Sequence, residues 1–284
     1  MPEMLDRRLN AYRDDLAEER LRGLVEAKRF VEGTSAAATV PVTPLRARPD
    51  PSCGTDTELL YGETARVLDI AEGWAWLKSD IDGYVGYVPQ EALAPPEAAP
   101  THIVAVPRTF LYRGADLRFP QASALSMGSR LHVVGEAETR GTRYFLVDGG
   151  LAVVANHCAP VGSPIGGDYV SIAARFLETP YLWGGRSGFG IDCSGLVQLS
   201  MQMAGRRVLR DTDMQAETIG QPIGRDELTR GDLVFWKGHV AIMEDEKTLL
   251  HANGHTMTVS REGLDAAIQR IGWLYAEPTN YRRP

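Results

Sequence analysis

The residue with the strongest chemical signature in this sequence is Cys193, in the segment PYLWGGRSGFGIDCSGLVQ. Glycines are concentrated before it, and an apolar helical pattern begins directly after it. This order predicts a sulfur at the N-terminus of a helix, where unpaired N–H groups and the helix dipole favour thiolate over thiol. Because the thiolate is the nucleophilic form, Cys193 is the predicted nucleophile. Cys53 and Cys158 lack this setting, and three cysteines in 284 residues do not make a disulfide framework.

Two histidines could supply the base that such a nucleophile needs. His239 opens the segment HVAIME, and His251 lies twelve residues later in TLLHAN. That separation fits two neighbouring antiparallel strands joined by a turn, on which the rings can lie side by side. We expect His239 to take the thiol proton and His251 to orient the His239 imidazole through its second ring nitrogen.

The elements that must position these residues form an α+β pattern in the C-terminal part of the chain. Residues 168–178, 194–204 and 214–219 fit helices. The apolar runs LVFW, HVAIME, TLLHAN and MTVS follow, separated by Gly, Asp and Asn, and they predict an antiparallel sheet after the helices. Trp183 and Trp236 are expected to be core aromatic residues near the cleft.

The N-terminal half has a different pattern. Residues 3–32 are predicted to form one amphipathic helix, because apolar residues recur near helical spacing: Leu5, Leu9, Tyr12, Leu16, Leu21, Leu24, Ala27 and Phe30. From about Val40 to Leu93, short runs separated by Gly and Asp predict a small barrel. After the proline-rich segment 95–100 a similar order of strands recurs, which we interpret as a degenerate internal repeat. Both halves of the repeat resemble bacterial SH3-like domains.

A resemblance to a known family follows from five sequence blocks. YLWGG, DCSGLVQ, RGDLVFW, HVAIM and HAN occur in this order within residues 165–284. These blocks resemble the NlpC/p60 family of papain-like cysteine peptidases. The resemblance implies hydrolysis of peptidoglycan stem peptides at the γ-D-glutamyl bond to a diamino acid, with Cys193, His239 and His251 as the catalytic triad. The whole arrangement is similar to the subgroup that cleaves L-Ala-γ-D-Glu-diamino acid peptides.

The same resemblance implies further residues around the nucleophile. Tyr181 matches a tyrosine that contacts the active site near the oxyanion, and Asp192 and Ser194 flank the nucleophile as in the family. Thr212 matches a position that meets substrate in the subgroup. The alternative for Thr212 is a purely local role at the start of a helix.

We also expect the site to require a free N-terminal L-Ala amine, which the intact wall does not offer. Asp192, next to the nucleophile, is predicted to pair with that ammonium. The subgroup adds a glutamate and a tyrosine from its first SH3-like domain, and the best matches here are Glu63 and Tyr84, with Glu58 and Tyr87 as near alternatives. The structural alternatives are a turn carboxylate for Glu63 and a barrel-surface aromatic residue for Tyr84.

The predicted fold class is therefore an α+β papain-like peptidase domain preceded by two small all-β SH3-like barrels and an N-terminal helix. The predicted boundaries are 1–36 for the helix, 37–97 and 98–162 for the SH3-like domains, and 163–284 for the NlpC/p60 peptidase domain.

Composition narrows the classes of function. Hydrophobic residues make up 44% and charged residues 24%, which is ordinary for a globular protein. The net charge of −7 argues against a nucleic-acid partner. No apolar run is long enough for a membrane span, and the charged N-terminal stretch lacks the core of a signal peptide, so we expect a cytoplasmic protein with no membrane partner. The expected partner is the murein peptide L-Ala-γ-D-Glu-diamino acid.

Neither a metal nor an organic cofactor is expected, because the Cys-His chemistry needs none and the sequence has no CxxC or HExxH motif. Two alternatives stay open at this stage. One is an amidase or acyltransferase that uses the same Cys-His core on another acyl bond. The other is a cell-wall peptide binding protein whose SH3-like domains carry the function, although an intact triad argues against it. The choice between diaminopimelate and Lys at the third substrate position is also open.

Overall fold

The computed structural model of the chain describes residues 5–163 and 165–284. It divides into two compact units. The first runs up to Val104 and continues from Thr109 to Val161, and the second comprises Ala105–Arg108 and Gly162–Pro284. Among the helices in the described residues, none combines the length and the apolar character needed to cross a membrane.

The first part of the first unit consists of short strands. They are β1 (Leu16–Glu18), β2 (Arg29–Val31), β3 (Thr34–Ala38), β4 (Val42–Leu45), β5 (Thr57–Leu60), β6 (Thr64–Ala71), β7 (Trp74–Ser79), β8 (Val85–Pro89) and β9 (Leu93–Ala94). The main sheet has the order β8-β7-β6-β3-β9, and β4 pairs with β5. The strands of this sheet and the β4–β5 pair are antiparallel, as a small barrel built from hairpins requires.

The predicted N-terminal helix is wrong. Within the described residues 5–32 the chain forms turns, β1 and β2 and no α-helix, while residues 3 and 4 of the prediction lie outside the described part. The neighbouring residues Leu16 and Ala17 are both buried, whereas Leu24 is 69% exposed, so burial does not follow a helical stripe. Leu16 instead packs in a core cluster with Leu68 and Trp76 of the same unit. Tertiary contacts with the sheet therefore outweigh the helical spacing of the leucines.

The second part of the first unit is again made of strands. They are β10 (His102–Val104), β11 (Arg108–Tyr112), β12 (Gln121–Ser126), β13 (Arg130–Leu131), β14 (Val133–Thr139), β15 (Thr142–Val147), β16 (Leu151–Val154) and β17 (Cys158–Pro160). They form a sheet of order β13-β10-β17 and a sheet of order β12-β11-β16-β15-β14. The region is all-β, as the repeat predicted; its assignment as a second SH3-like barrel remains a prediction.

The second unit combines helices with one large sheet. The helices are α1 (Tyr169–Ala174), α2 (Cys193–Met203), α3 (Thr212–Thr218) and α4 (Leu264–Leu274). The strands are β18 (Arg186–Ser187), β19 (Gly190–Ile191), β20 (Gln221–Pro222), β21 (Leu233–Trp236), β22 (His239–Met243), β23 (Thr248–Asn253), β24 (Thr258–Gly263) and β25 (Asn280–Arg283). The large sheet has the order β20-β25-β21-β22-β23-β24, and its paired strands are antiparallel, so the predicted α+β arrangement is confirmed here.

One face of this sheet is covered by α4, which the sequence analysis did not predict. Buried residues of β21, β22 and β23 share a core cluster with an apolar stripe of α4: Leu264, Ala267, Ile268 and Ile271. Trp236 belongs to this cluster, as expected for a core aromatic residue. The same expectation is wrong for Trp183, which is 69% exposed in the turn before α2.

Candidate active site

Cys193 is the first residue of α2, and the segment around it explains why the helix begins there. The Asp192 side chain caps the helix by accepting a hydrogen bond of 2.7 Å from the backbone N–H of Gly195. A Cβ at position 195 would overlap the carbonyl oxygen of Gly185, so the loop before the helix can approach this closely only against glycine. Cys193 itself is 5% exposed. The prediction of a cysteine at a helix N-terminus is confirmed.

The Asp192 carboxylate is held by more than the helix cap. Its two oxygens accept from Arg210 at 3.0 and 2.8 Å, and one of them also accepts from the Gly184 N–H at 2.8 Å. Arg210 is 1% exposed and also donates to the Ser194 hydroxyl at 2.8 Å. Asp192 and Ser194 thus belong to a buried network that fixes the start of α2. A substrate ammonium at Asp192 would have to compete with Arg210.

The two predicted histidines lie on neighbouring antiparallel strands. His239 opens β22 and His251 is in the middle of β23. His239 Nε2 lies 2.9 Å from His251 Nδ1, which is hydrogen-bonding distance. The Trp236 ring packs against the His239 ring with centroids 5.6 Å apart. The expected side-by-side arrangement of the two rings is therefore present.

The cysteine and the histidine pair are brought together by the packing of α2 on β22 and β23. The backbone N–H of Val240, the residue that follows His239, forms a hydrogen bond to the Cys193 sulfur. The Thr212 hydroxyl lies 4.0 Å from the same sulfur, at the first residue of α3. Thr212 thus both begins a helix and lies near the Cys193 sulfur, so its two predicted roles are compatible.

Burial determines the protonation of the resting site. It raises the pKa of the Cys193 thiol to about 11, and the Asp192 charge adds to the shift, while the hydrogen bonds from Val240 and Thr212 oppose it. Burial also lowers the pKa of His239 and of His251. The helix terminus was expected to favour the thiolate, but desolvation outweighs it. Both shifts favour the neutral forms of the pair, a thiol and an imidazole.

Tyr181 lies near the same sulfur. Burial raises the pKa of its phenol, and the nearby Cys193 and Asp192 add to the shift. Its backbone is fixed by a hydrogen bond of 2.8 Å from its N–H to the carbonyl of Met257 and by a bridge to Ile191. The hydroxyl therefore stays protonated and can act as a hydrogen-bond donor beside the nucleophile.

Two charged residues behind the histidine pair were missed by the sequence analysis. His251 Nε2 lies 3.2 Å from Glu262 Oε2, on β24. Arg270 of α4 makes two hydrogen bonds to the Glu262 carboxylate, of 2.9 and 2.6 Å. No motif marks this pair, because its members are distant from the histidines in sequence and meet only through the sheet register and the docking of α4.

Comparisons with known proteins cover both units. Residues 178–270 match the NlpC/P60 family, and residues 45–93 match the bacterial dipeptidyl-peptidase SH3 domain. A protein of Bacillus subtilis named gamma-D-glutamyl-L-lysine dipeptidyl-peptidase is 30% identical over 220 residues, or 69% of this chain and 71% of the relative. The chain belongs to the NlpC/P60 family. A protein of the same name from Bacillus cereus is 26% identical over 225 residues, or 69% of this chain and 67% of the relative.

A solved structure supports the same assignment at the level of the fold. An NlpC/P60 family protein from Bacillus cereus is 22% identical and superimposes with a TM-score of 0.73 over 88% of this chain and 99% of the other. The chain thus combines a papain-like NlpC/P60 domain with an SH3-like N-terminal region, and the resemblance predicted from the five sequence blocks is confirmed.

The matched SH3 domain contains Glu63 and Tyr84, two of the three residues predicted to bind the substrate ammonium. Glu63 is 2% exposed, and its Oε2 accepts a hydrogen bond of 2.9 Å from the Leu60 N–H. That bond fits the alternative of a turn carboxylate. Tyr84 is 4% exposed, so it is a buried residue and not a surface aromatic residue of the barrel. Of the near alternatives, Glu58 is also buried, and the Tyr87 hydroxyl accepts from Arg13 at 3.2 Å.

Proposed function

We propose that this NlpC/P60 protein is a cysteine peptidase that hydrolyses the bond between γ-D-glutamate and a diamino acid in murein peptides with a free N-terminal L-Ala. The observation that carries the proposal is the assembly of one reactive centre: a cysteine at the start of α2, packed on two strands whose histidine rings are 2.9 Å apart. A nucleophile, a base and a group that orients the base are the parts that acyl transfer requires.

The reaction follows from these parts. As the Cys193 sulfur attacks the γ-glutamyl carbonyl carbon, its proton passes to His239. The main-chain N–H of Cys193 and the Tyr181 hydroxyl stabilise the oxyanion, at roughly 3–4 kcal/mol per donor in other enzymes. The His239 imidazolium then protonates the departing amine of the diamino acid, which leaves a thioester. His239 finally takes a proton from water, which hydrolyses the thioester and restores the thiol.

The substrate class rests on the names of the relatives. A gamma-D-glutamyl-L-lysine dipeptidyl-peptidase is named for releasing a dipeptide ahead of a diamino acid. Release of L-Ala-D-Glu as a dipeptide is consistent with recognition of a free alanine amine. Such amines exist on peptides already released from the wall, so the proposal includes a recycling role in the cytoplasm. Diaminopimelate and lysine are both candidates for the third position.

The proposed ammonium ligands are Glu63 and Tyr84 of the SH3 domain. We assign Asp192 mainly to positioning, because Arg210 already pairs with its carboxylate. Thr212, which faces the sulfur, is kept as a proposed substrate contact.

The proposal is tested by incubating the full chain with L-Ala-γ-D-Glu-meso-diaminopimelate and, separately, with the lysine peptide, followed by mass spectrometry. We expect L-Ala-D-Glu and the free diamino acid from at least one peptide, and no products with Cys193→Ala. The substrate assignment would be wrong if both peptides stay intact while Cys193 is still alkylated by iodoacetamide in a His239-dependent manner.

A further inference from the structure

We propose that Glu262 and Arg270 are positioning residues that set the tautomer of His251 and, through it, leave the correct nitrogen of His239 free to accept the thiol proton. This inference deepens the proposed function, since it assumes that Cys193, His239 and His251 act together. It adds two residues that touch neither the nucleophile nor the base.

The sheet register brings Glu262 to His251. On β24, Ser260 lies directly opposite His251, and Glu262 lies opposite Leu249, two residues along. Diagonal neighbours of this kind are within reach of long side chains on antiparallel strands. His251 Nε2 is buried, and Glu262 Oε2 faces it at 3.2 Å, at ion-pair distance though outside linear hydrogen-bond geometry.

The docking of α4 then fixes Glu262. Side chains alternate along β23, so His251 shares a face with Leu249, which packs in the core cluster with α4. Arg270 lies on that helix, and its Nε and Nη2 donate hydrogen bonds to the carboxylate of Glu262. Both side chains are about one-fifth exposed, at 20% each. A bidentate pair of this type holds the carboxylate in one orientation.

The tautomers follow from the order of contacts. His239 uses Nε2 toward His251, so Nδ1 is the nitrogen left for the thiol proton. For Nδ1 to be an acceptor, the neutral His239 ring must carry its proton on Nε2 and donate it to His251 Nδ1. His251 must then carry its own proton on Nε2, where the Glu262 carboxylate faces it. An acceptor-only group at this position selects that tautomer.

The titratable and charged groups that the described residues place around His251 come from three elements: His239 on β22, Glu262 on β24 and Arg270 on α4. Arg270 and the contact with His251 lower the pKa of Glu262 to about 2, so the carboxylate stays ionised. Arg270 in turn balances its charge, and burial keeps the pKa of His251 below its ordinary value. The pair therefore orients a neutral ring and does not turn it into a cation.

Opposite effects on the acid limb of the pH profile distinguish this role from a structural one. Glu262→Gln removes an anion and leaves the Arg270 cation, so the histidine pair should titrate at lower pH. Its amide can also donate to His251 Nε2 and select the wrong tautomer, which should lower kcat by about 10- to 100-fold. Arg270→Gln leaves the anion unbalanced, so the acid limb should move to higher pH.

A matched control is available one residue away. Arg261 makes a bidentate pair with Glu244 that joins β24 to the end of β22. Glu244→Gln removes the same chemical group from a similar Glu–Arg pair that the structure keeps apart from the histidines. We expect its kcat and its acid limb to match those of the wild type.

The experiment combines pH profiles of peptide hydrolysis with ¹⁵N NMR of the histidine rings in the full chain. We expect His251 to carry its proton on Nε2 in the wild type and to lose this preference in Glu262→Gln. A wild-type His251 protonated on Nδ1 would overturn the proposal, and this measurement does not depend on the folding of any variant. Acid limbs of Glu262→Gln and Arg270→Gln that do not move in opposite directions would also overturn it. The pH dependence of Cys193 alkylation by iodoacetamide compares the same acid limbs without any peptide substrate. Failure of the proposed substrate assignment can therefore be distinguished from failure of the proposed role of Glu262 and Arg270.

Discussion

Two opposing sets of interactions determine the pKa of the Cys193 thiol. The helix N-terminus and the donors Val240 N–H and Thr212 hydroxyl favour a thiolate. Burial and the Asp192 carboxylate favour the thiol, and the pKa is raised to about 11. His239 is affected in the complementary way, because burial lowers its pKa. Both shifts favour a proton that stays on sulfur until attack, in contrast to a preformed thiolate–imidazolium pair.

This protonation state predicts a broad plateau of activity against pH. Hydrolysis needs an unprotonated His239, whose pKa lies below its ordinary value of 6.5, so the acid limb should fall below pH 6.5. The thiol pKa lies above its ordinary value of 9.0, so the basic limb should fall above pH 9.0. The measurement is kcat/KM against pH. A basic limb below pH 9.0, as deprotonation of the imidazolium in a preformed thiolate–imidazolium pair would give, would contradict the neutral pair.

The two histidines should differ in their importance. His239→Ala removes the proposed base, whereas His251→Ala removes only the group proposed to orient it, so His239→Ala should lose more kcat. Steady-state kinetics of both variants on the same peptide measure the difference. Cys53→Ser and Cys158→Ser serve as controls and should keep the wild-type rate. The reverse order of the two histidine variants would mean that their roles are exchanged.

At the scale of elements, α2 begins where it does because of the buried pair of Asp192 and Arg210. Asp192 caps the helix, and Arg210 pairs with its carboxylate, which is largely shielded from solvent. Cys193, the proposed nucleophile, is the next residue in the chain. Its position therefore depends on an ion pair whose second member is seventeen residues away from it.

Arg210→Met should be strongly destabilising, because it leaves the Asp192 charge buried and without its partner. We expect a loss of about 3–5 kcal/mol in the free energy of unfolding. Arg261→Met, which breaks the exposed pair with Glu244, should cost at most about 1 kcal/mol. Urea unfolding of the two variants measures both values. Equal, small losses would show that the Asp192–Arg210 pair does not hold the start of α2.

Elements were predictable where local signals agreed with tertiary packing. α2 has a capping residue, a glycine approach and an apolar run, and the strands β21 to β23 are continuous apolar segments between turns. The N-terminal segment has helical spacing only, and Leu16 packs individually against the sheet of the first unit. The apolar stripe of α4 was present in the sequence, but it was not recognised as a helix because it directly follows a run of apolar strand segments.

At the scale of the whole molecule, the site residues divide into those with local signals and those without. The placement of Cys193, His239 and His251 could be predicted because their residue types and spacings are typical of a Cys-His centre. Glu262 and Arg270 could not, since an acidic and a basic residue eight positions apart are common on any surface. Only the pairing of β23 with β24 and the docking of α4 give that pair a function.

The proposed free-amine requirement assigns the ammonium to Glu63 and Tyr84 of the SH3 domain. If Glu63 and Tyr84 bind the alanine ammonium, N-acetylation of the substrate removes the cation that pairs with the buried Glu63 carboxylate in the complex, which costs on the order of 3–5 kcal/mol. The acetylated peptide should then lose roughly two to four decades in kcat/KM. Glu63→Gln and Tyr84→Phe should reduce the ratio of kcat/KM between the free and the acetylated peptide. Glu91 is an exposed carboxylate of the same SH3 domain, so Glu91→Gln should leave this ratio unchanged. Equal kcat/KM on the free and acetylated peptides would refute the requirement.

The most direct test of the central claim is hydrolysis of L-Ala-γ-D-Glu-meso-diaminopimelate and of its lysine counterpart in ¹⁸O-labelled water, with the products analysed by mass spectrometry. The account predicts free diamino acid and an L-Ala-D-Glu dipeptide that carries one heavy oxygen on the γ-carboxylate, with no turnover by Cys193→Ala. Release of free alanine instead of the dipeptide, or labelled dipeptide formed equally well by Cys193→Ala, would contradict it.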